Sequence, residues 1–349
     1  MDETLQKYLY DVLGAVTETL SYFDERPKHF NEFSSNLMLR RAVERILKSE
    51  VNIMAFQIFT DTSSGMSKEL REKYGIEYFR MGLNVAGREL HGDLDYQEFS
   101  REQLYEWVKD PNVKITTSLV TVEEFTSKCE NYLKKGINIL YIACTDALSG
   151  TRGVFELVKK DLEEKYPDRQ IYSINSCRAE MALGLMVIEA AKKRDQGMDI
   201  NETYKYIQEI KQYFHQVGSI DTLKYLKAYG RVSGAAAFFA DTLNIKPLIM
   251  ADIYGNNYTF KKVHGPMKAM EECFEYVKKH MIPGVTDVVY IGETMPGKAK
   301  DYLKKRLEEE LKLKTEEYII SPIVGVCCGP GMYGCWFRGD LVNEKGAKK

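Results

Sequence analysis

The sequence lacks several features that mark common functional classes. No G-x-G-x-x-G run follows the first predicted strand and no lysine follows a glycine-rich loop in the Walker pattern, so no nucleotide-binding loop is indicated. None of the five histidines is paired at i, i+4 or has an adjacent acidic partner, and we expect no metal and no cofactor. The seven cysteines include no CxxC pair, which favours free thiols in a reducing compartment.

An excess of charge of one sign is also absent, as are long apolar runs. Lys plus Arg number 49 against 51 for Asp plus Glu, so no nucleic-acid-binding surface is expected. The apolar segment 51–60 is interrupted by Asn52 and Gln57 and is shorter than the roughly 18 to 20 residues that cross a bilayer. The first residues lack the basic and apolar parts of a secretory signal. We therefore expect a cytoplasmic protein that makes at most transient membrane contact.

The chain has enough length and apolar content for more than one core, with 349 residues of which 44% are hydrophobic. Amphipathic spacing from Leu5 to Leu20 predicts that residues 1–49 form a helical extension. From Val51 onward, short apolar strands alternate with helical periods, which is typical of βα units and a mostly parallel sheet.

The second half of the chain has a different pattern. A long helix is predicted over 198–216, and a hairpin signal at 254–257 indicates antiparallel pairing beyond it. We therefore predict an α/β fold of two α/β domains. The first, residues 50–215, contains a mostly parallel wound sheet, and the second, residues 216–345, is mixed α/β.

Hydroxyl side chains are concentrated where the predicted strands end. They are Thr60, Thr62, Ser63 and Ser64 after the first strand, Thr116, Thr117 and Ser118 after Val113–Ile115, and Thr145, Ser149 and Thr151 after a third strand. Because the carboxyl ends of strands in a wound sheet share one edge, we expect these loops to meet. Helix N-termini at that edge favour an anion, such as a carboxylate or phosphate, although any single loop is equally explained by helix capping.

Two further segments are candidates for function. Arg231 lies beside small residues in the run 230–239, a pattern that fits either a narrow apolar slot or close helix packing. Cys327 and Cys328 are either a reactive pair or small packing residues, since adjacent cysteines rarely form a disulfide. Ser149 lacks the flanking glycine of a hydrolase nucleophile elbow.

Several short motifs, in their order and spacing, resemble the DegV family of bacterial fatty-acid-binding proteins from about Ala55 to Asp340. They are FTDTS at 59–63, GDLD at 92–95, TS at 117–118 ahead of EF at 124–125, LSGT at 148–151, GL at 184–185, GRV at 230–232, NIKP at 244–247 and GPG at 329–331. The resemblance implies two α/β domains that enclose a long-chain fatty acid. It also implies a carrier that presents the acid to a fatty acid kinase subunit for acyl-phosphate formation.

The resemblance further implies which residues hold the ligand. Thr117 and Ser149 match the hydroxyls that bind the carboxylate, and Ser118 is adjacent. The remaining predicted ligand-binding residues are Thr62, Thr145, Cys327, Cys328 and Gly329, and Arg231 is predicted to lie near the opening and to contact the kinase partner.

The chain departs from the family pattern at three places. Cys327-Cys328 precede Gly329 where the family commonly has a histidine, Asp146 stands where the family tends to have serine, and Arg152 replaces an aromatic residue. A thiol is a poor donor to a carboxylate and Asp146 would repel one, whereas Arg152 offers a compensating charged contact.

Two alternatives remain open from the sequence. One is an enzyme of the same fold that acts on a small anionic substrate, with Ser149, Asp146 or Cys327 in catalysis. It predicts a compact polar pocket and no long tunnel. The other is a regulatory binding module that uses the helical extension at residues 1–49.

Overall fold

The computed structural model describes residues 56–232 and 244–342. The predicted helical extension at 1–49 and the apolar helix expected after Arg231 lie outside the described residues. None of the helices in these two ranges is both long enough and apolar enough to cross a membrane.

Within the described ranges the chain forms strands and helices in alternation. The strands are β1 (Phe56–Asp61), β2 (Ile76–Phe79), β3 (Gly82–Val85), β4 (Arg88–His91), β5 (Ile115–Ser118), β6 (Asn138–Ala143), β7 (Ile171–Asn175), β8 (Phe214–Ser219), β9 (Ile245–Ala251), β10 (Asn257–His264), β11 (Val288–Glu293), β12 (Lys314–Ile319) and β13 (Tyr333–Arg338). The α-helices are α1 (Lys68–Tyr74), α2 (Arg101–Lys109), α3 (Val122–Leu133), α4 (Thr151–Lys165), α5 (Glu180–Asp195), α6 (Ile200–Ile210), α7 (Lys224–Ala228), α8 (Pro266–His280), α9 (Lys298–Leu311) and α10 (Pro322–Cys328).

The first sheet is parallel throughout, with strand order β2-β1-β6-β7. Its strands are apolar on both faces because helices cover both. Phe59 and Tyr141 pack with α3 and α4 on one face, whereas Ile58 and Leu140 pack with α5 and α6 on the other. This is the parallel wound sheet that the alternation of strands and helices predicted.

Two further sheets complete the fold. A small antiparallel sheet has the order β4-β3-β5, and a six-stranded sheet has the order β10-β9-β8-β13-β11-β12. The six-stranded sheet is antiparallel except for the parallel pair β11 and β12, so the predicted mixed second half is confirmed. The predicted hairpin at 254–257 joins β9 to β10.

Helix α5 lies between the parallel sheet and the six-stranded sheet. It contacts β1 and β6 on one side and β8 and β13 on the other, and one apolar cluster includes Phe56, α5 and Trp336. Burial on both sides explains why residues 181–188 of the helix are all apolar or small. The start of α5 therefore faces the region where the two large sheets meet.

The predicted long helix over 198–216 was wrong in its second half. Helix α6 ends at Ile210, a 3-10 turn covers Lys211–Tyr213, and β8 begins at Phe214. The step from Ile210 to Phe214 continues a helical period, but β8 pairs with both β9 and β13, and this long-range pairing decides the conformation. The predicted domain boundary at 215/216 consequently falls inside a strand, and the division into domains stays a prediction.

The predicted position of Thr116, Thr117 and Ser118 also needs correction. These residues do not follow a strand but form most of β5, the edge strand of the small antiparallel sheet. β5 pairs with β3, so that Thr117 lies opposite Leu83. The hydroxyls of β5 therefore reach the site from a separate sheet and not from a βα unit.

Candidate functional site

A cavity of about 320 Å³ lies between the carboxyl end of the parallel sheet, strand β5 and the six-stranded sheet. This volume is within the range of small-molecule binding sites. Most of its wall is apolar, formed by Met81, Leu119, Leu148, Ala179, Val217, Ile220, Leu226, Ile249, Ile323, Val324, Met332 and Trp336. Such a wall suits a hydrocarbon chain better than a polar substrate, and it does not form the compact polar pocket that the enzyme alternative predicts.

The predicted hydroxyls and the predicted cation meet at this cavity. Thr117, Ser118 and Ser149 line it, as does Arg231. Thr117 and Arg231 also line a second cavity of about 540 Å³ that is more open to solvent. We refer to the part of the first cavity next to Thr117 and Arg231 as its open end, because both residues also border the more open second cavity.

Ser149 and Arg231 are positioned by the same loop. The Ser149 hydroxyl donates to Thr151 Oγ1 at 3.0 Å and accepts the Thr151 N–H at 3.3 Å, which places it at the start of α4. Arg231 Nε donates to the Leu148 carbonyl at 3.0 Å, and its guanidinium also donates to the Tyr229 carbonyl. Arg231 makes no ion pair with a described residue, so its charge is available to an anionic ligand.

Asp146 and Arg152 compensate each other instead of acting on a ligand. Arg152 Nε donates to the two Asp146 carboxylate oxygens at 2.9 and 3.1 Å, and this carboxylate raises the pKa of Arg152. Neither residue is part of the cavity wall. The family departures at these two positions therefore neutralise each other outside the cavity.

Three of the predicted ligand residues are not brought to the cavity wall. The Thr62 hydroxyl donates to the Phe79 carbonyl at 3.2 Å and accepts the Met81 N–H at 3.0 Å, tying β1 to the end of β2. Thr145 Oγ1 accepts the Ala147 N–H at 3.2 Å in a turn. Gly329 ends α10 with φ +77°, where a Cβ would lie 2.1 Å from the ring of Tyr225.

Cys327 and Cys328 line the cavity, and both are neutral thiols. Burial raises the pKa of Cys327 to about 11, even though Arg231 acts in the opposite direction, and it raises the pKa of Cys328 further. A thiol is a weak nucleophile until it is deprotonated. No described histidine lines the cavity to act as its base, so the enzyme alternative gains no activated nucleophile here.

Asp61 organises the polar side of the cavity without lining it. Its Oδ1 accepts the Ser63 N–H at 3.0 Å and the Ser63 hydroxyl, and its Oδ2 accepts the Tyr141 hydroxyl at 2.7 Å and the Cys144 N–H at 2.9 Å. Ser63 and Cys144 both line the cavity. Asp61 therefore holds the end of β1 to the end of β6 beside the cavity wall.

Glu180 also lines the cavity, and the sequence reasoning missed it. It is the first residue of α5, with φ +52°, and its side chain is buried. Glu180 Oε1 accepts the Ser321 N–H at 3.2 Å and the Ser321 hydroxyl, and Oε2 lies beside the Tyr318 ring. Burial raises the pKa of Glu180 to about 8 against the opposing hydrogen bonds from Ser321 and Tyr318, which favours the protonated carboxyl at neutral pH.

A signal for Glu180 was available in the sequence. It stands alone at the head of a helix whose next eight residues, 181–188, are all apolar or small. A carboxyl on such a helix has no polar face to occupy, so it must be buried or must face a cavity.

Comparisons with known proteins agree on one family. The DegV family model, described as that of an uncharacterised protein, matches residues 55–339. A DegV domain-containing protein of Clostridium perfringens is 32% identical over 277 residues, which cover 79% of this chain and 96% of that protein.

Solved structures with the same fold include two proteins described as binding fatty acids. The DegV family protein of Thermus thermophilus, described by its fatty acid binding, matches with a TM-score of 0.73 at 21% identity, over 82% of this chain and 100% of its own. A fatty acid (stearic acid)-binding protein of Eubacterium ventriosum matches with a TM-score of 0.72 at 20% identity, over 81% of this chain and 98% of its own. These likenesses establish the fold.

Proposed function

Because this chain belongs to the DegV family, we propose that it binds a long-chain fatty acid in the cavity between its two large sheets. The observation that carries the proposal is a mainly apolar cavity with hydroxyl side chains and the Arg231 cation in its wall. Each methylene that the wall removes from water contributes about 0.8 kcal/mol, so the chain supplies most of the affinity. The fatty acid binding described for the Thermus and Eubacterium proteins supports this ligand class.

The carboxylate of the fatty acid is assigned to the open end. Thr117 and Ser118 offer hydroxyl donors there, and Arg231 offers a positive charge without a competing described carboxylate. Ser149 becomes a third donor when its hydroxyl turns from Thr151 Oγ1 to the ligand. Hydrogen bonds to an ionised carboxylate are stronger than bonds between neutral groups, which favours this end over the apolar interior. Cys327, as a neutral thiol, contributes mainly apolar contact.

A carrier role follows from this orientation. With its carboxylate at the open end, the fatty acid keeps its reactive group accessible, and a fatty acid kinase subunit docked there can phosphorylate it. Arg231 lies at the same opening, which supports its proposed contact with the partner. A purified fatty acid kinase subunit with ATP should convert the bound acid to acyl phosphate, and Arg231→Ala should raise the kinase concentration needed for half-maximal rate.

Two measurements test the ligand assignment. Protein purified from cells should release fatty acid on organic extraction, detected by mass spectrometry. Thr117→Ala and Ser149→Ala should each weaken palmitate binding by about 1 to 2 kcal/mol, because each removes one donor to the carboxylate. Thr116→Ala is the matched control, since Thr116 is next to Thr117 on β5 but does not line the 320 Å³ cavity.

The proposal makes a clear negative prediction as well. If the purified protein contains no lipid and takes up neither palmitate nor oleate, the proposed fatty-acid binding is wrong. Equal palmitate affinity of wild type, Thr117→Ala and Ser149→Ala would remove the assignment of the carboxylate to the open end.

A further inference from the structure

Two histidines and one aspartate meet beside the paired strands β8 and β13. They are His215 in β8, His280 at the end of α8 and Asp340, two residues after β13. One possible metal-ligand atom from each of them lies within 4.8 Å of the other two. None of the three residues lines either of the two cavities described above. The cluster therefore has no part in the proposed fatty-acid site.

The distances within this cluster match those of a metal site. Asp340 Oδ1 is 3.0 Å from His280 Nδ1 and 3.3 Å from His215 Nε2. Zinc binds histidine nitrogen and carboxylate oxygen at about 2.0 to 2.2 Å, so two ligand atoms of a tetrahedral site are roughly 3.4 Å apart. The remaining pair, the two histidine nitrogens, lies within 4.8 Å and needs only a small approach.

The backbone and a stacked ring hold these side chains together. The Asp340 N–H donates to the His280 carbonyl at 3.0 Å, which ties the chain after β13 to the end of α8. Gly339 allows this approach, because a Cβ there would lie 2.3 Å from the His280 carbonyl oxygen and 3.1 Å from the His215 ring. The His215 ring also stacks on Phe337, with centroids 4.8 Å apart. The three ligands therefore need little reorganisation to take an ion.

His215 is oriented for a metal by Tyr276. Its Nδ1 lies 2.9 Å from the Tyr276 hydroxyl oxygen, and its Nε2 lies 2.8 Å from the Asp340 carbonyl oxygen. Burial lowers the pKa of His215 to about 4, so the ring carries a single proton at neutral pH. With a metal on Nε2, this proton is on Nδ1 and is donated to the Tyr276 hydroxyl. Histidine ligands of metals are usually held in this way, through the ring nitrogen that does not bind the ion.

The exposure of the cluster shows how an ion can enter. The side chains of His215 and His280 are 0% and 10% exposed, whereas that of Asp340 is 45% exposed. Solvent thus reaches the cluster from the Asp340 side, and water can complete the coordination. Two imidazole nitrogens and one carboxylate favour zinc and related transition-metal ions over magnesium and calcium, which prefer oxygen ligands.

We propose that His215, His280 and Asp340 bind a divalent metal ion of the zinc class, with water as the fourth ligand. The ion links β8, α8 and the end of β13, so it fastens three elements of the second half of the chain. The sequence did not indicate this site because Asp340 is 125 residues from His215 and 60 residues from His280. A spacing rule for ligands on one helix cannot find such a set.

Zinc titration of the chelator-treated protein tests the site. Isothermal titration calorimetry at pH 7.5 should show one zinc ion per chain, and saturating zinc should raise the thermal midpoint by several degrees. Magnesium and calcium should give neither effect. Cobalt in place of zinc should give the visible absorption bands of a tetrahedral ion without a thiolate charge-transfer band, which excludes the cysteines as ligands.

Two ligand variants and one control locate the ion. Asp340→Asn keeps the shape of the side chain but removes its charge, and His280→Ala removes a nitrogen ligand. Each should weaken zinc binding at least about a hundredfold, because the binding free energy is shared among few ligands. His91→Ala is the matched control, since His91 pairs with Glu98 at 2.7 Å on the surface, outside this cluster. Its zinc affinity should equal that of the wild type.

Four results would overturn the proposal. They are an absence of zinc uptake, an unchanged zinc affinity in Asp340→Asn, a cobalt spectrum with thiolate bands, and a loss of affinity in His91→Ala equal to that in Asp340→Asn. Should His280→Ala not fold, Asp340→Asn decides, because the Asp340 side chain is partly exposed and its replacement leaves the backbone hydrogen bonds intact. Fatty-acid binding stands or fails separately, because these residues do not line the cavity.

Discussion

Asp61 and Glu180 are two buried carboxyls beside one cavity, and they differ in what surrounds them. Asp61 is 0% exposed and Glu180 is 2% exposed, so burial does not distinguish them. Four hydrogen bonds reach the two Asp61 oxygens, whereas Glu180 accepts from Ser321 and has Tyr318 beside its other oxygen. The comparison shows that equally buried carboxyls differ in the number of donors around them, and that burial raises the pKa of Glu180 against its hydrogen bonds.

At neutral pH the largest expected effect comes from removing Asp61. Asp61→Ala should lower the free energy of unfolding by about 4 kcal/mol, because it leaves buried donors on Ser63, Tyr141 and Cys144 without an acceptor. Urea denaturation measures the loss. Asp61→Asn, which keeps one acceptor oxygen, should lose less. If Asp61→Ala is as stable as wild type, these hydrogen bonds do not hold β1 to β6.

The buried Glu180 carboxyl should make the free energy of unfolding depend on pH. Because the pKa of Glu180 is raised from 4.5 to about 8 in the folded chain, the folded chain keeps a proton that the unfolded chain releases. The stability of the wild type therefore falls as pH rises between these values, by up to about 1.4 kcal/mol per pH unit from this group.

Replacing Glu180 isolates that contribution. Glu180→Gln cannot ionise, so its advantage over the wild type in urea denaturation should be near zero at pH 4.5 and should grow up to pH 8. The same measurement at several pH values supplies the control, because all other groups titrate alike in both proteins. Parallel pH profiles would mean that Glu180 is not buried as a neutral acid.

The smallest of the three effects concerns the space beside Glu180. Gly65→Ala should cost about 2 kcal/mol, because φ is +63° there and the new Cβ would lie 2.4 Å from Glu180 Oε2. Gly197→Ala is the matched control, since φ is +92° but nothing lies within 4 Å of the added Cβ. Equal losses of stability in thermal melts would show that backbone strain alone accounts for Gly65.

Much of the fold could be predicted from local pattern. Ser100 with Gln103 and Thr121 with Glu124 have capping-box spacing, which predicts a helix after each. Both Ser100 and Thr121 side chains accept the N–H three residues later, at the starts of α2 and α3. Local pattern did not predict β8, because Phe214 continues the period of α6 and only pairing with distant strands makes it extended. The same holds for Thr117, whose strand is defined by pairing with β3.

The sequence named some of the residues that the structure brings to one cavity, and their role in binding stays a prediction. The family resemblance singled out Thr117 and Ser149, and the structure brings both to one cavity with Arg231. Thr62 and Thr145 could not be separated from them by sequence, since all four are hydroxyls near strand or helix ends. What separates them is which hydroxyls lie on the cavity wall, and that depends on how distant segments of the chain pack together.

The sequence alone determined the family, the alternation of strands and helices, and the supply of hydroxyls where elements end, because these depend on residues close together in the chain. Only the tertiary structure decided which buried polar groups form hydrogen bonds with each other. Ser321, which pairs with Glu180, is 141 residues away, and Tyr141, which pairs with Asp61, is 80 residues away. The partners that folding brings to a buried carboxyl decide how many hydrogen bonds it makes, and no local pattern records those partners.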